Sequence, residues 1–183
     1  MGWKSKAAAV GVAIGVLAGC DAPDPYATVS LPRGEQLDIR NILAANPNKR
    51  ACTEYRAASN SCASIITSTV QGNTMISREI AAVKIPGSTQ TQRVEVVTRS
   101  ALRGRQACVR AGDINVTGRD QMSAFLLQAT RSLVNDFGGS VCGSYFRAGD
   151  GYIVSSKGAN GETFPPGDVR FQFITGEAQL RAQ

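Results

Sequence analysis

Residues 120–137 read DQMSAFLLQATRSLVNDF, and the expected architecture is built outward from them. Met122, Phe125, Leu126, Ala129, Leu133 and Phe137 recur at helical spacing and predict one apolar stripe, with Asp120, Gln128, Arg131 and Asn135 on the other side. Thr117 or Asp120 supplies a cap at the start, and Gly138 with Gly139 supplies a stop. The spacing therefore predicts one long amphipathic helix over about 119–137.

The flanking segments carry a different period. ASIITSTVQ, MISREIAAVKI, RVEVVTRSAL and QACVRAGDINV are rich in Ile, Val and Thr and are parted by QGN, PGS and RGR, which predicts an antiparallel meander. In RVEVV, Val94 and Val96 alternate with Arg93 and Glu95, the pattern of a sheet with one wet face. After the helix, VCGSYFRA and GYIVSSKG read as strands joined by AGDG, then a loop, GANGETFPPGD, and a last strand, VRFQFIT. Before the meander, LDIRNILAA predicts a short helix that Pro47 ends. Strands, one long helix, then strands predict an α+β fold of two layers, with the helix packed on a mainly antiparallel sheet.

The chain starts with an export layout. Lys4 and Lys6 precede an apolar run, residues 7–19, which is too short for the roughly twenty residues of a membrane-spanning helix. The run ends on Cys20. Leu17, Ala18, Gly19 and Cys20 resemble the lipobox of bacterial lipoproteins. That resemblance implies cleavage before Cys20, acyl chains (palmitate among them) on that cysteine, and attachment to a membrane of the cell envelope facing the periplasm. Asp21 resembles the retention signal that keeps some lipoproteins in the inner membrane, a rule that varies between bacterial groups. The implied organisation is a signal peptide at 1–19, a lipid anchor and Pro-rich tether at 20–36 and a single domain at 37–183. The alternative is an ordinary signal peptide with an unmodified Cys20 and a soluble periplasmic protein. Myristoylation does not apply, because MGWKSK has Lys6 where the motif needs Ser or Thr.

Four further cysteines, Cys52, Cys62, Cys108 and Cys142, form an even set, which in an exported chain predicts disulfides. Three pairings exist. Loop closure favours the short connection, Cys52 with Cys62, which leaves Cys108 with Cys142. The second bond requires the strand before the long helix and the strand after it to lie close.

No histidine is present, which excludes Ser-His-Asp and Cys-His nucleophilic sites; with no CxxC pair either, no zinc site is expected. No metal and no cofactor are expected. Phosphate-loop and dinucleotide motifs are missing, and there is no basic block interleaved with aromatics for nucleic acid. A peptidoglycan hydrolase working through two carboxylates is the catalytic alternative. Asp113, Asp120, Asp136, Asp150 and Glu162 are the acids near predicted loops and helix ends, while Asp150 and Asp168 sit in turn sequences. None stands out as a pair. Two features point instead to contact with a partner protein or anionic lipid: Arg99, Arg103, Arg105 and Arg110 on neighbouring predicted strands, and Phe164 at the centre of the long polar loop. The expected function is a non-catalytic binding, scaffolding or assembly module that meets another envelope protein.

Overall fold

The computed structural model describes residues 28–84, 90–118 and 120–182. The signal peptide, Cys20 and Asp21 lie outside the described residues. The elements in chain order are β1 (Gln36–Leu37), α1 (Ile39–Ala44), β2 (Arg50–Thr53), β3 (Ser61–Cys62), β4 (Ser64–Gln71), β5 (Thr74–Lys84), β6 (Thr91–Arg103), β7 (Gln106–Arg110), β8 (Ile114–Thr117), α2 (Gln121–Asp136), β9 (Ser140–Ala148), β10 (Gly151–Gly158), β11 (Thr163–Ile174) and β12 (Gln179–Leu180). Among the described residues no helix is long and apolar enough to cross a membrane.

The expected two-layer α+β sandwich is overturned. Strands make up 56 % of the described residues, and eight of them close into an antiparallel barrel. Around the ring the order is β2, β4, β5, β6, β7, β9, β10, β11, and β11 then pairs with β2. The neighbours follow chain order, so the meander read from the sequence is there, but its two ends meet. That closing ladder sets Gln172 beside Cys52 and Phe171 beside Thr53. β2 is what the sequence reading lacked. RACT is four residues long and has no alternation to announce it, and without β2 the meander has no first strand for β11 to meet.

Closure changes what alternation means. A strand in a barrel sends every second side chain into the lumen and the others outward. On β6, Val94, Val96, Ser100 and Leu102 are buried while Arg93, Arg99 and Arg103 are exposed. The long helix therefore covers no broad face of an open sheet; it lies over β8, which extends the β5–β6 ladder. It packs at one end of the barrel, where Leu126, Leu133 and Val134 join Ala81, Val83, Val94 and Val96 from β5 and β6. Asp120 caps it, accepting a hydrogen bond from the Ser123 amide at 2.9 Å and another from the Ser123 hydroxyl at 2.8 Å. These bonds hold its carboxyl below the usual aspartate range. Arg131 ties the helix to β8 by donating from Nη2 to the Ile114 carbonyl at 2.8 Å. The predicted stripe is shifted by one residue in places: Phe125 is 51 % exposed, and Thr130 and Val134 take buried positions instead.

The opposite end of the lumen is filled by α1. Ile39 and Ile42 pack with Met75, Leu102 and Ala107, and with the partly buried Tyr145, Tyr152 and Phe173. Asp38 caps this short helix at the Arg40 amide.

Both disulfides have the expected partners. Cys108 on β7 and Cys142 on β9 are direct cross-strand neighbours. Between them the chain leaves the barrel to build β8 and α2, then returns, so the bond clips the base of that excursion. Cys52 on β2 joins Cys62 on β3. This bond sits in a small outer cluster with Ile65, Tyr55, Ile174 and Leu180, where β12 docks parallel to β3.

Residues 28–37 lie against the barrel. The Val29 amide donates to the Pro166 carbonyl at 2.7 Å, the Asp168 amide donates to the Val29 carbonyl at 2.9 Å, and β1 pairs with β9. Asp168 is the anchor: its buried carboxylate accepts two bonds from the Arg33 guanidinium, at 2.9 and 2.7 Å, and one from the Leu31 amide at 2.8 Å. Burial alone would push the Asp168 carboxyl up. The bonds from Arg33, Leu31 and Ser155, with the Arg33 charge, outweigh burial and hold it below the usual aspartate range.

Candidate functional site in the barrel lumen

Between the two filled ends the barrel keeps a cavity of about 130 Å³. Every barrel strand lends it alternate residues, and Ile39 and Leu43 of α1 face it from one end. Room is left because small residues stand at three wall positions, Ala51, Ala107 and Gly143. A β-carbon placed on Gly143 would sit 3.2 Å from a Val154 methyl and 3.7 Å from the Tyr145 hydroxyl oxygen, so glycine there keeps wall and lumen clear.

The wall has two sides. β4, β5 and β6 contribute Ser68, Ser77, Glu79, Thr98 and Ser100. Ser68 pairs with Ser77, and Ser77 with Thr98, so these three hydroxyls form one row across three strands. Within it the Ser68 and Ser77 oxygens are 2.8 Å apart. On the opposite arc of the ring, β9, β10 and β11 contribute Tyr145, Val154, Val169, Phe171 and Phe173, with Ser156 the one serine among them. Their rings pack on one another: Tyr145 meets Phe171 edge-on at 6.3 Å, and Phe173 meets Phe171 edge-on at 5.9 Å. Burial pushes the Tyr145 phenol well above the ordinary tyrosine value. Among the described residues Glu79 is the one acid on the wall, and neither lysine nor arginine lines it.

The residues singled out in the sequence lie elsewhere. Arg99 and Arg103 are exposed on the outer face of β6; Arg105 stands in the tight turn between β6 and β7 and donates to the Gln36 carbonyl at 3.1 Å. Arg110 ends β7, and the β6–β7 register, which sets Arg103 beside Gln106 and Ala101 beside Cys108, carries it towards Arg99 on the neighbouring strand. Arg99, Arg103 and Arg110 are thus exposed on the neighbouring strands β6 and β7, with Arg105 in the turn that joins them. Phe164 is no loop tip. It belongs to β11, is 2 % exposed and meets Phe137 edge-on at 5.1 Å in the core beside α2, so it offers a partner no surface.

The acids are likewise dispersed. Asp113 lies in the turn before β8, Asp120 caps α2, Asp136 ends it, Asp150 sits in the turn after β9, and Glu162 accepts from Asn160 in the turn before β11. Asp168 is committed to Arg33. Among the described residues no group of three or more His, Cys, Asp or Glu is placed to hold a metal ion.

Sequence reasoning missed the lumen set altogether. Its one trace was serine and threonine at inward positions of otherwise apolar strands, in SIITSTVQ and TMISREIAAVK. On an open sheet those positions read as ordinary solvated residues.

Comparisons with protein-family models, curated proteins and solved structures find no significant match to this chain.

Proposed function

We propose that this chain is an exported bacterial envelope lipoprotein, held to the membrane by acyl chains on Cys20, and that its barrel is a non-catalytic binding module. The anchoring half rests on the lipobox-like Leu17-Ala18-Gly19-Cys20 at the end of a short apolar run. Asp21 favours the inner membrane as its site. The binding half rests on one observation, the two-sided lumen. An eight-stranded barrel is just wide enough either to fill with side chains or to hold one small molecule, and this one leaves a space where hydroxyls face aromatics.

The arrangement of acids supports binding over glycan hydrolysis. Hydrolysis by a carboxylate pair needs two acids about 5 to 9.5 Å apart across a bond, and the cavity wall carries Glu79 alone. Both disulfides suit an oxidising compartment.

Intact mass spectrometry of unreduced protein from membranes of its native host tests the anchor. The expected species starts at Cys20, is heavier by its acyl groups and lighter by four hydrogens for two disulfides. A chain without acyl mass refutes the anchor and leaves a soluble periplasmic protein with the same barrel.

A further inference from the structure

We infer that the lumen binds a neutral, benzene-sized molecule with an aromatic or compact aliphatic body and one hydrogen-bonding head, phenol being the simplest member of the class. The inference rests on reading the barrel as a binding module and specifies what it takes. Three observations define the class.

Size comes first. A protein cavity of about 150 Å³ lined by apolar side chains accepts benzene, and this one is about 130 Å³. A long acyl chain, a sugar ring with its substituents or a nucleotide exceeds it.

Charge comes second. With neither lysine nor arginine on the wall and one glutamate there, a carboxylate or phosphate entering the lumen would shed its water and meet no cation, a cost of several kcal/mol. Anions are excluded.

The two-sided wall comes third. Phe171, Phe173 and the Tyr145 ring offer faces and edges on which a six-membered ring packs. Across the lumen, the row Ser68, Ser77 and Thr98 offers hydroxyls that both donate and accept. A wholly apolar guest would cover that row and leave only the Ser68–Ser77 bond to serve it, whereas a guest with a single hydroxyl, carbonyl or amide adds a further partner and meets both walls at once.

The test uses the full lipid-anchored chain in detergent micelles, labelled with ¹³C at the methionine methyl groups. Met75 lines the lumen, and Met122 lies on α2 outside it, so one residue reports the cavity while the other reports everything else. Phenol, benzene and benzoate are the probes. Phenol is expected to shift the Met75 methyl saturably through its ring current and to leave Met122 unchanged. Benzene is expected to bind about fivefold more weakly, the worth of one net hydrogen bond, and benzoate not at all. In the S77A/T98V variant the preference for phenol over benzene falls to within about twofold, with benzene binding retained. If neither aromatic shifts Met75 saturably, the binding-module reading itself fails. If benzene binds as well as phenol, if benzoate binds comparably, or if the preference survives in S77A/T98V, the ligand class is overturned while a ligand-binding lumen stands.

Discussion

Removing the Cys108–Cys142 bond, as C108A/C142A, should destabilise the protein more than removing the Cys52–Cys62 bond as C52A/C62A. The magnitude follows from the chain each bond closes. On the chain-entropy account the unfolded state gains about 2.1 cal/mol/K plus 1.5R ln n when a loop of n residues is opened. The Cys108–Cys142 separation is 34 residues, and that of Cys52–Cys62 is 10. At room temperature these give about 3.8 and about 2.7 kcal/mol, a difference of about 1.1 kcal/mol. The position of each bond reinforces the order. Cys108–Cys142 clips the base of the excursion that carries α2, whereas Cys52–Cys62 fastens a small outer cluster to the already paired β2. Urea unfolding followed by far-ultraviolet circular dichroism measures both. With a slope of about 2 kcal/mol/M the midpoints should fall by about 1.9 and about 1.3 M. Equal shifts, or a larger one for C52A/C62A, would refute the argument that loop length and the position of the excursion decide what each bond contributes.

Asp120→Ala removes the helix cap and should cost about 1 kcal/mol, read as a lowered urea midpoint with an unchanged slope. Phe164→Ala empties the core position opposite Phe137 and should cost about 3 to 5 kcal/mol by thermal or urea unfolding; a cost under 1 kcal/mol would mean that Phe164 is not the core residue described. Arg33→Ala strands the buried Asp168 carboxylate and should cost about 1.5 to 3 kcal/mol at neutral pH. The sign of the accompanying pH effect is fixed by the lowered Asp168 pKa. The stability due to Asp168 is fully present above the unfolded aspartate value of about 3.9 and is lost as pH falls through the still lower folded value. The wild type should therefore lose more stability than Asp168→Asn below about pH 4, and parallel acid unfolding curves would contradict that assignment.

What could be read from the sequence and what could not divide along physical lines. The long helix, a cap at Thr117 or Asp120 and an end near Phe137 were legible because helical periodicity and capping are local, and both disulfides followed from loop length. Most strands of the meander were legible by their Ile, Val and Thr content. Closure was not. It depends on β2, a four-residue strand with no pattern of its own, meeting β11 at the far end of the chain. Once closure was missed, the inward serines carried no signal, Phe164 was read as the centre of a polar loop, and α2 was assigned the face of a two-layer sandwich in place of the barrel end beside β8. The lumen site was therefore out of reach, because its residues, two or three per strand, become neighbours only around a closed ring.

The β2–β11 ladder also bears on how the chain comes to its native state. Cys52 and Gln172 are partners although 120 residues separate them, so the ring is completed by one of the least local contacts in the molecule, the kind that slows folding most. A chain made from its N-terminus presents β2 long before β11 exists, and every intermediate without β11 has two open edges, one on β2 and one on the growing end of the meander. Such edges pair with whatever strand is near, including the same edges of another copy. The step at which this protein is most exposed to aggregation is thus the wait for its last barrel strand, and truncation within β11 should favour oligomers over a looser monomer.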